Sequence, residues 1–256
     1  MPYDLVGDKP VIYIHIPKTA GTSLKHYFQM QQSGHLTSQE SYNKYHLASH
    51  KSHDMPYLDI SSSITPWLNY DKISEKAQKL GKIFAAEEVL ESPKTKWQQA
   101  YKFSFVRNPW DRLSSIYHHH REDFGGLGSY KSFVTALHKD TGKLASTILQ
   151  LTQTQYLSNN GSINLQFIGR YENLKYDAQR LDKHLTGDAR PFGEWERRSS
   201  NKDTLYTSMY PNFQDVYSVF SLYYEDIKNF KYTFSNTIKC PVTQACFKSY
   251  REEHND

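Results

Sequence analysis

Apolar and polar positions alternate along this chain in blocks that predict strands followed by helices. Val11 to Ile16 (VIYIHI) is rich in β-branched and aromatic side chains and carries no formal charge, the pattern of a strand buried on both faces. Pro17 cannot donate a ladder hydrogen bond, so the strand is expected to end there, with a helix from Thr22 to Gln31. Tyr101 to Val106 (YKFSFV) predicts a second strand, and Pro109, suited to a first helical turn, opens a helix to His120. Tyr130 to His138 and Lys143 to Leu151 read as further helices, separated by Thr141 and Gly142. Ile163 to Ile168 predicts a third strand with Gly169 and Arg170 just past its end, followed by a helix from Glu172 to Leu185. In Phe213 to Ile227 the residues Phe213, Val216, Tyr217, Phe220, Tyr224 and Ile227 recur at helical spacing and mark one buried face.

Strands alternating with helices predict an α/β fold with a central, mostly parallel sheet flanked by helices. Ligands in such sheets sit beyond the carboxyl ends of the strands. No repeat or low-complexity linker interrupts the chain, so residues 1–256 read as a single domain. The polar, weakly periodic stretch at about 33–82 is expected to be an insertion or lid, because structureless loops of that length are usually functional or disordered.

Composition narrows the picture. The 256 residues suffice for one good core, and although hydrophobic residues make up only 38%, the 20 Tyr and 13 Phe bury much area each. A net charge of +4 with no basic run argues against a nucleic-acid binder but suits an anionic ligand. Cys240 and Cys246 form neither a zinc pattern nor a disulfide framework and are expected as free thiols. No 18-residue apolar run is present, and the opening residues MPYDLVGDKP lack a signal-peptide core, so the expectation is a cytoplasmic protein of bacterial or viral type with no membrane span.

Candidate chemistry lies at the strand ends. Lys18-Thr19-Ala20-Gly21-Thr22-Ser23 follows the first strand and leads into a helix. Gly21 permits close backbone approach, Thr22 and Ser23 bring hydroxyls to a helix N-terminus, and Lys18 adds positive charge: a cradle for a phosphate-like group. ATP and GTP loops place their Lys directly after the last Gly, whereas Lys18 precedes Gly21 by three residues. Arg107 follows the second strand, and its planar fork suits a terminal phosphate. Ser115, eight residues on, lies about two helical turns along and can face the same ligand. Asp111 and Arg112 also suit a salt bridge at the start of this helix.

The stretches IHIPKTAGTSL at 14–24, FSFVRNPWDRLSSIY at 103–117 and FIGRYENL at 167–174, with the closing YYEDIKNFKYTF at 223–234, resemble the carbohydrate sulfotransferases. These enzymes use 3′-phosphoadenosine 5′-phosphosulfate (PAPS), and the likeness is to the soluble bacterial members related to heparan and chondroitin sulfotransferases. The resemblance implies a P-loop NTPase-like three-layer fold and transfer of a sulfuryl group from PAPS to a hydroxyl or amine, most often on a glycan, with no metal. It implies that Lys18, Thr19, Ala20, Gly21, Thr22 and Ser23 hold the 5′-phosphosulfate, with Lys18 catalytic, and that Arg107 and Ser115 hold the 3′-phosphate.

The acceptor base departs from the related pattern. Bacterial relatives carry a Lys-His pair about two dozen residues before the second motif, and here Ile83 stands where that histidine is expected. His46, His50 and His53 share one helical face by spacing, with Glu87 and Glu88 as further candidates; His50 is the preferred base, and a solvated polar face is the bland alternative. His118 to His120 suit a helix C-terminus. Arg170 is either a second donor-binding charge or a partner of Glu172, and Arg197 and Arg198 either clamp an anion or lie on the surface. Trp67, Trp97 and Trp195 are expected in the core rather than on a sugar ring. Two other functions fit less of the pattern: a P-loop kinase or NTPase, against which neither later strand ends in an Asp for Mg²⁺, and a silent nucleotide-binding homologue, suggested by Ile83.

Overall fold

The computed structural model describes residues 4–30, 38, 40–41, 96–120, 129–138, 151–193 and 205–254. The chain opens with a hairpin: β1 (Asp4–Val6) runs antiparallel to β2 (Lys9–Ile14), Val6 opposite Lys9. Gly7 takes φ 60° in the turn between them, a conformation glycine adopts without steric cost. Strand β3 (Tyr101–Val106) lies parallel to β2 with Ser104 opposite Ile14, the strand that alternation predicts over the same residues.

The expected strand from Ile163 to Ile168 divides in two. Ser158–Asn159 (β4) and Ser162–Ile163 (β5) form a separate hairpin, and Phe167–Arg170 (β6) joins the sheet parallel to β3. Asn160-Gly161, with φ values of 50° and 75°, makes the mirror-image turn that matches strand twist and closes this hairpin, so Ile163 pairs back with Ser158. Sheet order is β1-β2-β3-β6, so β3 is central and its two neighbours run parallel to it.

Alternate residues of the strands feed opposite faces. Val11, Tyr13, Phe103 and Phe105 are buried on the face covered by α1 (Gly21–Phe28), through Leu24, Tyr27 and Phe28. On the other face Ile12, Ile14 and Val106 pack with Trp97 of the short helix α2 (Lys96–Gln99), which confirms that tryptophan as core. Helix α3 (Pro109–His120) starts at Pro109 as expected and packs through Trp110, Leu113 and Ile116 against α4 (Tyr130–His138). Between α4 and β4 lies the short helix α5 (Gln153–Leu157); the helix expected over Lys143 to Leu151 falls almost wholly outside the described residues.

The helix expected from Glu172 begins with a 3-10 turn at Tyr171–Asn173 and continues as α6 (Leu174–Thr186), which covers the α1 face of the sheet with Ala178, Leu181 and Leu185. Gly169 belongs to β6 rather than following it: a Cβ there would stand 2.4 Å from the Phe105 ring, so only glycine lets that ring lie flat on the strand. The expected helix from Phe213 to Ile227 breaks at Tyr223 into α7 (Phe213–Leu222) and α8 (Tyr224–Phe230). The turn at Tyr223 redirects the chain, so that Asp226 and Phe230 reach the sheet side while Val216, Val219 and Phe220 stay with α3 and α4. A last helix, α9 (Pro241–His254), buries Cys246, and Cys240 precedes it; both thiols are free, as expected. Among the described residues no helix is long and apolar enough to cross a membrane.

The far end of α1 is held by an ion pair between a buried aspartate and a partly exposed arginine. Asp182 is fully buried and accepts from Arg190 through Nε at 3.0 Å, Nη2 at 2.7 Å and the main-chain amide at 2.8 Å. Tyr27 Oη shares its proton between Asp182 at 3.1 Å and the Arg190 carbonyl at 2.9 Å. Burial raises the Asp182 carboxyl, but the Arg190 hydrogen bonds outweigh it and hold the pKa below the ordinary carboxylate value. A depressed native pKa means that this stabilisation is complete above a pH of about 4 and is lost as pH falls through the native value. Asp182→Asn is therefore expected to be less stable at neutral pH and to lose less stability on acidification than the parent, measured by urea melts from pH 7 down to acid; parallel acid limbs would contradict it.

Candidate active site

Because β2, β3 and β6 run parallel, their carboxyl ends share one edge of the sheet, and the residues that follow them meet there. After β2 the chain passes His15, Ile16 and Pro17 to Lys18 and Ala20, both left-handed at φ 68° and 67°. Such backbone is uncommon for residues with a Cβ and persists where surroundings over-determine it. Ala20 is the N-cap of α1, and no side chain caps that helix, so its first-turn amides are left for another acceptor.

The carbonyls of this loop are taken up one after another from the protein side. Ile16 O accepts from the buried Thr19 hydroxyl at 2.8 Å, Pro17 O from Arg112 Nε at 3.1 Å and Lys18 O from Arg107 Nη1 at 3.0 Å. In a trans peptide the N–H points away from its carbonyl, so the amides of Lys18 and Thr19 are turned to the opposite side, a nest for an anion. The Thr19 hydroxyl thus shapes the loop from within, and this residue has only its amide to offer a ligand. Burial raises the pKa of the neighbouring Tyr13, with the Thr19 side chain opposing.

Gly21 answers to a second constraint besides anion approach. A Cβ at that position would lie 1.7 Å from His15 Nε2, and the His15 ring is stacked on Tyr13 at 5.4 Å. Thr22 is exposed and Ser23 half-buried at the head of α1.

Arg107 stands at the tip of β3. It grips Asp111 with two hydrogen bonds, Nε at 2.8 Å and Nη2 at 2.9 Å, and its guanidinium lies 3.9 Å over the Tyr171 ring from the β6 tip. Three of its five N–H groups are committed to Asp111 and Lys18 O; one on each terminal nitrogen has no acceptor among the described residues. The expected pairing of Asp111 with Arg112 is not formed, because Asp111 turns to Arg107 while Arg112 runs inward under Pro17. Ser115 lies half-buried on α3, one turn beyond Asp111 and two beyond Arg107 on the same face.

Buried polar side chains fix the Arg107 backbone. Gln153 accepts from Arg107 N through Oε1 and donates to Arg107 O through Nε2, both at 2.8 Å. Gln153 is itself held by Asp226, whose carboxylate caps α5 through the amides of Gln153 at 2.8 Å and Thr154 at 2.7 Å. Burial raises the Asp226 pKa; those two amides and the charge of Arg112 pull against it. Asn108 caps α3, its Oδ1 accepting from Trp110 N at 3.1 Å, and Glu172 accepts from Asn108 N at 2.6 Å and from Tyr232 Oη at 3.1 Å. Arg170 forms no ion pair with Glu172 among the described residues; it donates to Phe230 O at 2.5 Å and lies 4.7 Å over the Tyr232 ring.

The structure therefore brings together Lys18, Thr19, Ala20, Gly21 and Arg107, with Thr22, Ser23 and Ser115 on the adjoining helices. His46, His50, His53, Ile83, Glu87, Glu88, Trp67, Trp195, Arg197 and Arg198 lie outside the described residues. Sequence reasoning missed Gln153, Asp226 and the inward turn of Arg112. Nothing local marks Gln153 or Asp226, but Arg112 has a signal: in PWDRL a charged residue falls on the buried face of α3.

A family model described as the sulfotransferase family matches residues 2–233. No curated protein and no solved structure matches the chain. The match spans most of the chain, which therefore belongs to the sulfotransferase family and is an enzyme of sulfuryl transfer.

Because Gln153 satisfies both backbone groups of Arg107 in a buried setting, Gln153→Ala leaves a donor and an acceptor unmet. The expected loss is about 1–3 kcal/mol of stability, read from the denaturant midpoint; an unchanged midpoint would contradict the clamp.

Proposed function

We propose that the enzyme moves a sulfuryl group from PAPS to a hydroxyl or amine of a carbohydrate acceptor, on a P-loop NTPase-like sheet. The observation that carries the donor reading is the hydrogen bond from Arg107 to the Lys18 carbonyl at 3.0 Å: the two anion-seeking strand tips are one connected structure, suited to a nucleotide with phosphate at both ends. The outward amides of Lys18 and Thr19, the uncapped start of α1 and the uncommitted N–H groups of Arg107 fit such a ligand.

In this reading the donor supplies the activated sulfuryl group. The loop amides of residues 18–23 bind the 5′ end, while Arg107 and Ser115 bind the 3′-phosphate. Lys18 Nζ provides a mobile positive charge where the leaving phosphate gains negative charge, the largest single contribution such a site makes. His50 is assigned the acceptor proton, with Glu88 as the second choice. The modest positive charge of the chain suits both an anionic donor and an acidic glycan, and a cytoplasmic setting is part of the proposal.

Lys18→Ala is expected to keep its fold and melting temperature but to lose about 10²–10³-fold in transfer rate from labelled PAPS, with or without EDTA; full activity would refute the Lys18 assignment. His50→Ala should lower kcat by about 10²-fold or more while leaving affinity for the desulfated donor unchanged. A normal kcat would pass the role of base to Glu88.

A further inference from the structure

Arg112 is a buried arginine that the donor reading does not use. It is 1% exposed, and among the described residues no carboxylate forms an ion pair with it. Its hydrogen bonds go to two carbonyls, Pro17 O from Nε at 3.1 Å and Leu151 O from Nη1 at 3.5 Å. Nη2 is buried with no hydrogen-bond partner among the described residues. Asp226 acts on this charge through space while its own oxygens are occupied by the amides of α5. A buried guanidinium held by two neutral acceptors is costly unless an anion sits nearby. The element directly above it is the Pro17–Lys18 peptide, at the centre of the loop.

We infer that Arg112 is the positioning residue of the 5′ half of the donor site: by holding the Pro17 carbonyl inward it turns the Lys18 amide outward, and its charge beneath the loop favours an anion above. This rests on the donor reading given above. Arg107 holds the next carbonyl, Lys18 O, so the two arginines divide the work across one residue. Arg107 also faces the 3′-phosphate in that reading, whereas Arg112 is buried and meets the loop at the Pro17 carbonyl. The two ends of the nucleotide therefore respond differently to Arg112, which a general structural role would not produce.

The test is calorimetric binding of two nucleotides to the full chain: adenosine 3′,5′-bisphosphate, which uses both halves of the site, and adenosine 3′-monophosphate, which uses only the Arg107 half. In the parent protein the 5′-phosphate is expected to add at least about tenfold in affinity, as a charge-assisted hydrogen-bonded contact does. Arg112→Met should cut that ratio to near unity while the affinity for the 3′-monophosphate stays within about twofold, and Arg112→Lys, which keeps the charge but not the planar fork, should restore part of it. If Arg112→Met does not fold, Arg112→Lys decides alone: a ratio reduced by about threefold or more supports the inference, and an unchanged ratio overturns it. Equal loss for both nucleotides overturns it as well, since that is the mark of general destabilisation. If the parent protein binds neither nucleotide, the donor reading fails and this inference falls with it, an outcome distinct from a parent that binds both and a variant that keeps the ratio.

Discussion

The inward capture of three consecutive carbonyls, those of Ile16, Pro17 and Lys18, is the constraint on which the active edge depends. A peptide group is rigid, so fixing the carbonyl fixes the amide on its other side. Left to solvent, a loop with two left-handed non-glycine residues would relax toward ordinary backbone, because each such residue costs on the order of 1–3 kcal/mol. Here a hydroxyl and two guanidinium groups hold it, and two of these three partners are themselves buried. The strained conformation is thus maintained by the layers beneath it, and the outward face of the loop is left to bind.

Sheet order explains why those partners are within reach. β3 lies between β2 and β6, and all three run the same way, so the residue after β3 emerges between the two neighbouring tips. Arg107 can then donate to the β2 loop, stack on Tyr171 after β6, and grip Asp111 on its own following helix without leaving the edge. Gln153 locks the Arg107 backbone and Asp226 locks Gln153, a relay from α8 to the strand tip. The break at Tyr223 gives α8 the direction that puts Asp226 in place. The helical irregularity and the fixed arginine are two ends of one arrangement.

What was legible in the chain follows from the range of the forces involved. β3 and α3 match their expected bounds because alternation, a run of buried residues and a helix-opening proline are local signals. The convergence of Lys18 and Arg107 was legible too, since a parallel sheet puts its strand ends on one edge. The Asn160-Gly161 turn is readable as a hairpin signal, and it lies just before the strand expected from Ile163, whose first residue belongs to that hairpin rather than to the sheet. The break at Tyr223 is not readable, because helical spacing persists through it and the contact it serves, Gln153 to Asp226, is tertiary. The choice Asp111 makes is readable in spacing: Arg107 stands four residues before it, whereas Arg112 is its immediate neighbour and points to another side of the helix, where it is buried.

The charges at this edge show a consistent division. Asp111 is spent on Arg107, Glu172 on Asn108 N and Tyr232, Asp177 on the Arg170 amide, and Asp226 on the two amides of α5. Each carboxylate is thereby tied to a structural donor. The cations are less fully matched: Arg112 faces carbonyls alone, and Arg107 keeps two N–H groups with no acceptor among the described residues. Carbonyls and amides carry no net charge; Asp111 pairs with Arg107 directly and Asp226 acts on Arg112 at a distance. Fixed dipoles and cations in a partly buried setting do not reorganise when negative charge arrives, and this makes such an edge effective at holding a polyanion and at stabilising charge that grows on a leaving oxygen.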